Sequence, residues 1–327
     1  MWRPDVLGEG WQARDLILRP DAYGDAVATL VRPEPDGQER PGAALYVHGF
    51  VDYFFHPHLA DLWRGLDREL YAVDLRGYGR SIRPGRPPNV VEDLAVHAED
   101  LDAAVRVLRD ELGHDEVVVM GHSTGGLIAS LWADARSAQA LAGRGDARRY
   151  ADALVLNSPW LELNRSWFHR EVVTRALYPV SRFAPDLVIS QLGKDYGEWL
   201  HDPAGGGWTY DQAWKPDAGF GVRARWLSSV RRGHRAVARG LSIDVPVLVC
   251  TSDASGPTGR VHDAIGSSDS VLSVEQMARL APRLGVDVTL VQVAGGVHDL
   301  ALSLEPARTS YLSTVREWVV TRLGVPR

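Results

Sequence analysis

At 327 residues, 45% hydrophobic and 24% charged, the chain has room for one large α/β domain with a modest insertion. A formal charge of −6 and a pI near 6.0 give no basic footprint for nucleic acid, and the single cysteine, Cys250, excludes an intrachain disulfide and fits a reducing compartment. No apolar run approaches the roughly 18 to 20 residues that span a bilayer, and the opening MWRPDVLGEG has no basic-then-apolar signal pattern, so the expectation is a cytoplasmic protein without stable membrane insertion.

In chain order, short apolar runs alternate with longer helical patterns, which predicts a mainly parallel sheet covered by helices. Leu16–Arg19 and Ala26–Arg32 read as an opening antiparallel pair split by a Gly24-Asp25 turn. Ala43–Phe50 and Leu70–Gly79 each start apolar and end in a glycine loop, with a short helix between them over His58–Asp67. From Val91 to Leu112, Leu94, Leu101, Ala104, Val105 and Leu108 recur at helical spacing until Gly113 stops the run. Val117–Met120 reads as a buried strand, followed by a helix from about Ser123 to Ala135 and a further strand at Ala153–Asn157. Pro246–Cys250 and Val288–Val293 complete the strands, and Pro306–Leu323 forms a terminal helix.

The alternation breaks between Pro159 and Asp244. This stretch shows no convincing strand and holds six of the chain's 11 tryptophans: Trp160, Trp167, Trp199, Trp208, Trp214 and Trp226. Helical pieces at Glu171–Leu177 and Asp186–Leu192 are separated by Pro179 and Pro185. The reading is a mainly helical cap over residues 159–244, inserted between core segments 1–158 and 245–327, with its aromatic rings lining an apolar pocket. Trp160, Trp208, Trp214 and His122 are the candidate substrate-binding side chains.

The strand at Val117–Met120 runs straight into Gly121-His122-Ser123-Thr124-Gly125, which fits the G-x-S-x-G nucleophile elbow between a strand and a helix. Such a turn must reverse sharply, leaves no room for flanking side chains, and lifts the serine hydroxyl above the sheet edge. It also aims the N-terminus of the following helix at the reacting centre. A serine hydroxyl needs a base, and the base needs an orienting carboxylate. His298, the last of 11 histidines, follows the final strand beside a glycine pair that lets the loop turn back toward Ser123. His56 and His58 have no clustered acid or cysteine around them in sequence and read as surface residues, so no metal site is expected. The acid has three candidates after the strand ending at Cys250: Asp253, Asp263 and Asp269.

His48-Gly49-Phe50, the run Asp74-Leu75-Arg76-Gly77-Tyr78-Gly79-Arg80-Ser81, the elbow through Gly126, and Gly296-Val297-His298-Asp299 together resemble the α/β-hydrolase superfamily, in its monoacylglycerol lipase and lysophospholipase branch. The resemblance covers the core on both sides of the insertion and implies the α/β-hydrolase fold. Its acid motif matches Asp269-Ser270-Val271-Leu272 better than Asp253, with Thr251–Gly266 as an extra loop. It implies an oxyanion hole from the backbone amides of Phe50 and Thr124, and a structural role for Arg76, Gly77 and Gly79. Epoxide hydrolases and dehalogenases of this fold carry an aspartate where Ser123 stands. The expected activity is hydrolysis of an apolar carboxylic ester, acylglycerol-like, aryl or lactone, through an acyl-enzyme and without a cofactor. Thioesterase, peptidase and carbon–carbon hydrolase chemistry use the same residues. A small-molecule receptor of this fold would bind with little turnover, which a panel of chromogenic esters separates.

Overall fold

The structure, a computed structural model, describes residues 1–143, 150–164 and 174–324, with side chains given for all of these except 174–177. Trp167, His169 and the start of the helical piece expected at 171–177 lie outside the described residues.

The strands are β1 (Arg3–Pro4), β2 (Trp11–Asp21), β3 (Gly24–Pro33), β4 (Gly42–Val47), β5 (Arg68–Asp74), β6 (Glu116–His122), β7 (Ala153–Asn157), β8 (Val188–Ser190), β9 (Val222–Arg223), β10 (Val247–Ser252) and β11 (Val288–Val293). Nine of them form one sheet in the order β1-β2-β3-β5-β4-β6-β7-β10-β11. Pairings are antiparallel from β1 to β5 and parallel from β5 onward, as the alternation of apolar runs and helices requires. The central strands are apolar throughout because both faces are covered. In β6, Val117 and Val119 enter one core while Val118 and Met120 enter the other.

The first core is closed by α2 (His97–Arg106), α3 (Thr124–Leu141) and α6 (Ala224–Arg239), through Leu101, Val105, Leu127, Trp132, Trp226 and Val230. The second is closed by α1 (Leu59–Arg64) and α8 (Ala307–Leu323), through Leu62, Trp63, Tyr311, Val315 and Val319. Between these layers lies the topological feature that positions the site. From β4 the chain crosses to β5 on one side of the sheet, and then to β6 on the other side of β4. The crossovers diverge there and leave a crevice beyond the carboxyl ends of β4 and β6.

Three expectations need correcting. The hairpin turn sits at Ala22-Tyr23, where the Asp21 carboxylate accepts the Tyr23 amide at 2.9 Å, and Gly24 opens β3 at φ 96°. Residues 186–192 are not helical: β-branched Val188 and Ile189 extend into β8, which pairs antiparallel with β9, so the insertion contains a small sheet. Pro179 does not separate elements but sits inside α4 (Thr174–Phe183). Among the described residues, the remaining α-helices are α5 (Asp195–His201) in the insertion and α7 (Val274–Leu280) after β10.

Candidate active site

Ser123 stands at the turn between β6 and α3 with φ 53° and ψ −118°, a conformation that costs an L-residue on the order of 1–3 kcal/mol. The surroundings enforce it. The Ser123 amide donates to Asn157 O on β7 at 3.0 Å, and its carbonyl accepts from Gly126 and Trp160 at 3.0 and 2.9 Å. A Cβ on Gly121 would lie 2.8 Å from the Gly125 carbonyl oxygen, and one on Gly125 would collide with the carbonyls of Val47 and His48 at the end of β4. Gly125→Ala is therefore expected to cost about 3 kcal/mol, the upper end for one inserted methyl, read as a lowered Tm.

The serine hydroxyl donates to His298 Nε2 at 3.0 Å, and His298 Nδ1 donates to Asp269 Oδ2 at 2.9 Å. His298 follows β11 and Asp269 returns from a long loop after β10. That return is fixed by backbone pairing: the Asp269 amide donates to Ala254 O at 2.9 Å, and Gly256 donates to Asp269 O at 2.7 Å. The excursion of residues 256–268 thus closes on itself and delivers Asp269 to the end of β10. The other carboxylate oxygen, Oδ1, accepts the amides of Val271 and Leu272 at 2.9 and 2.8 Å, and the residue is fully buried. Asp253 is exposed and accepts the Gly295 amide at 3.0 Å, and Asp263 is exposed. Of the three acids the sequence offered, only Asp269 reaches the histidine.

The loop after β4 lies against the serine, with a Cβ on Gly49 falling 3.2 Å from Ser123 Cβ. Within it, Gly49 donates to Asp52 Oδ2 at 3.3 Å and Val51 to Asn89 Oδ1 at 2.8 Å. Among the described residues, the intervening Phe50 amide makes no hydrogen bond, and neither does that of Thr124 at the start of α3. His48, beneath them, is buried and neutral: its Nδ1 donates to Gly49 O while its Nε2 accepts the Leu75 amide. Arg76 is buried in ion pairs with Asp100 and Glu99, the structural role its loop implied.

A second buried carboxylate follows the histidine directly. Asp299 Oδ2 accepts from His56 Nε2 at 3.0 Å, and Oδ1 accepts from Asn157 Nδ2 at 2.7 Å and the Ala301 amide at 3.1 Å. Burial alone would raise the Asp299 carboxyl, but His122, His56 and Asn157 hold it well below the usual carboxylate range. His56 is accordingly a core residue and His58 is half-buried, donating to Ala301 O at 3.0 Å, which corrects the surface reading of both. No short-range pattern could have revealed this, because the partners stand 243 positions away.

The insertion contributes several contacts. Tyr196 on α5 accepts the Asp299 amide at 3.2 Å and sets its ring edge-on to His298. Trp226 stacks on Phe50 with centroids 4.0 Å apart, and Trp160 lies next to Trp226 at 5.9 Å. His122 lies beside His298, with ring centroids 5.0 Å apart. Trp208 and Trp214 are placed elsewhere. They pack in a satellite cluster with Tyr53, Phe55, Leu200 and Tyr210, and Trp208 donates to Leu302 O at 2.9 Å.

Burial lowers His122 from its ordinary 6.5 to about 4, so the folded chain keeps it neutral. Between these values the unfolded chain takes up a proton that the folded chain refuses. Stability is therefore full above pH 6.5 and falls by up to about 3 kcal/mol as pH drops toward 4. His58, also lowered by burial to about 4, acts in the same direction. Thermal melts of the parent and of His122→Gln should show a shallower acid-side fall in the variant. Equal slopes would show that His122 is not the titrating group.

A doubly covered, mostly parallel sheet with a strained serine at the β6–α3 turn is the architecture of an α/β-hydrolase. The sequence model of the serine aminopeptidase S33 family matches residues 38–305, and the chain belongs to that family. It is 28% identical to lipase LipV of Mycobacterium tuberculosis over 269 residues, 78% of this chain and 86% of the lipase. It is 27% identical to epoxide hydrolase 1 of Caenorhabditis elegans over 137 residues, 40% of this chain but only 29% of that protein's length. Among solved structures, a carboxyl esterase from Bacillus coagulans superposes with TM-score 0.67 at 14% identity, covering 95% of this chain and 98% of the esterase. A soluble variant of monoglyceride lipase from Saccharomyces cerevisiae superposes with TM-score 0.66 at 16% identity, covering 94% of each chain.

Proposed function

We propose that this chain is a serine hydrolase that cleaves carboxylic esters of apolar substrates through an acyl-enzyme. The observation that carries the reading is the continuous hydrogen-bonded line from Ser123 Oγ through His298 to Asp269. His298 takes the hydroxyl proton as Ser123 attacks the carbonyl carbon, and the oxyanion forms against the free amides of Phe50 and Thr124. Asp269 stabilises the imidazolium, which then protonates the departing alcohol. Water activated by His298 attacks the acyl-enzyme and releases the acid. Each oxyanion donor contributes on the order of 3 kcal/mol.

Two further observations among the described residues narrow the reading, one against an N-terminal peptide amine and one against epoxide opening. An ammonium needs a free carboxylate to hold it, yet Asp52 is already paired with Lys215, and Asp299 with His56 and Asn157. The nucleophile is a hydroxyl and not a carboxylate, which sets the chain apart from epoxide-opening chemistry. The segment 159–244 serves as the cap, although its last helix, α6, also closes the first core, since it places Tyr196 against His298 and Trp226 against Phe50.

The direct test is a panel of aryl esters, acylglycerols, lactones, thioesters and aminoacyl amides, run beside labelling by a fluorophosphonate. Turnover of apolar esters with label at Ser123 supports the reading. Turnover confined to the amides, or label elsewhere, overturns it. Specificity should reside in the rings near Phe50. Trp160→Ala is expected to change the ratio of kcat/KM between a short-chain and an aryl ester by about tenfold, the scale for reshaping an apolar subsite. Trp208→Ala should lower Tm and leave that ratio alone, because its indole is tied to Leu302 in the satellite cluster. Unchanged ratios in both variants would remove the cap from substrate choice.

A further inference from the structure

The chain has only two lysines. Lys194 lies on the surface, paired with Glu198 within the same stretch of helix. Lys215 is different: its side chain is 17% exposed, and its ammonium donates to Asp52 Oδ1 at 2.7 Å. It thereby ties the insertion to the turn that follows β4. The ammonium also faces the rings of Phe55 and Tyr210 at 5.4 and 5.7 Å, favourable positions for a cation.

That turn is under strain. Val51 has φ 52°, a left-handed conformation that a β-branched residue avoids. Strain of this kind persists only where surrounding contacts over-determine it. Three do so here. Asn89 Oδ1 accepts the Val51 amide, Asp52 Oδ2 accepts the Gly49 amide, and Lys215 holds the other oxygen of the same carboxylate. Between the two bound amides stands Phe50, whose own amide is left free. The Asp52 carboxylate thus links the insertion to the backbone on one side of Phe50. Neighbouring contacts follow the same route, with Tyr53 OH accepting the Asp211 amide at 2.7 Å and Trp214 edge-on to Tyr53 at 5.2 Å.

We propose that Lys215 is a positioning residue for ester hydrolysis: through Asp52 it holds the strained turn at 49–52 so that the Phe50 amide stays aimed at the oxyanion. The proposal rests on the serine-hydrolase reading above. In water-excluded surroundings, an ion pair that fixes a carboxylate in one rotamer also fixes the backbone amide that the carboxylate accepts. Without the ammonium, Asp52 is free to change rotamer, the Gly49 bond weakens, and the strain at Val51 can relax. A relaxed turn still binds the ground-state ester, because the apolar subsites are unchanged, but it no longer matches the tetrahedral oxyanion. The latch therefore acts on kcat.

The experiment compares the full chain with Lys215→Met, Lys215→Gln and Lys215→Arg on one aryl ester. It also measures affinity for an aryl boronic acid, which forms a tetrahedral adduct with the serine. Lys215→Met should lower kcat about 10- to 100-fold, less than deleting an oxyanion donor outright, with KM within about threefold. Boronate affinity should fall by the same factor as kcat, and Lys215→Arg should restore most of both. Lys215→Gln, similar in length but uncharged, should resemble Lys215→Met and covers the case in which the methionine variant does not fold. Combining Lys215→Met with Asp52→Asn should give little more loss than the worse single change, because both break one link.

If the parent labels at Ser123 and hydrolyses the ester while the Met and Gln variants keep kcat within twofold, the latch is overturned and the hydrolase reading stands. A loss carried by KM and Tm, with boronate affinity unchanged, also overturns it, since that is the signature of cap packing. A parent that neither labels nor hydrolyses overturns both.

Discussion

Ser123→Ala is expected to lower kcat for a chromogenic ester on the order of 10⁶-fold while the chain stays folded, with Tm within a degree or two of the parent. The hydroxyl's described bond is to His298, so its removal leaves no other buried partner stranded. Alanine keeps the Cβ that the elbow already accommodates, and the backbone bonds to Asn157, Gly126 and Trp160 do not involve the side chain. Fluorophosphonate labelling should vanish with the activity. A companion variant separates catalysis from stability. Glycine tolerates φ 53° far better than serine, so Ser123→Gly should be equally inactive yet more stable than Ser123→Ala, by about 1–2 kcal/mol less the entropy cost of glycine. Retained turnover in either variant, or label at another residue, would remove Ser123 from the chemistry.

The parallel core and the elbow were legible in the sequence for a physical reason. β4, β6, β7 and β10 are buried on both faces, so each is a short continuous apolar run with little alternation to confuse it. The elbow is legible because its glycines answer a contact of backbone with backbone: Gly125 sits against Val47 and His48 whatever the rest of the fold does. His298 was legible by position, as the histidine after the last strand.

The insertion was less so. β8 holds only three residues and is mostly exposed, so it has neither the length nor the burial that makes a strand visible in a sequence. Buried polar partners were invisible for another reason. His56 was expected at the surface because no acid lies near it in sequence, but Asp299 reaches it across the fold. Lys215 and Asp52 meet across 163 positions in the same way. Periodicity reports which face of an element is apolar. It carries no information on which buried charge finds which partner, because that depends on how loops from several strands converge at one sheet edge. Sequence spacing left three acids open, and the backbone pairing of Asp269 with Ala254 and Gly256 brings that one within hydrogen-bond reach of His298.

That selection yields the second large effect. Asp269→Asn is expected to lower kcat by about 10³- to 10⁴-fold, and the hydrogen bonds around the carboxylate say why. Oδ1 accepts two backbone amides, those of Val271 and Leu272. An asparagine must turn its carbonyl oxygen toward those donors, since its NH₂ group cannot accept from them. The NH₂ then faces His298 Nδ1 and donates to it. The imidazole proton is driven to Nε2, the nitrogen that must accept from Ser123, so the base is blocked although no atom has moved far. This orientation makes a specific ordering: Asp269→Ala, which imposes no tautomer, should retain at least as much activity as Asp269→Asn. Asp253→Asn should stay within about twofold of the parent, because its carboxylate is exposed and serves only the Gly295 amide. Initial rates for the three variants on one aryl ester, with Tm measured alongside, decide the matter. A large loss at Asp253 with a mild one at Asp269 would move the acid to the strand end, and an alanine variant much worse than the asparagine would show that the side chain acts by holding the imidazole in place, a role asparagine keeps, and that the blocked tautomer does not limit the rate.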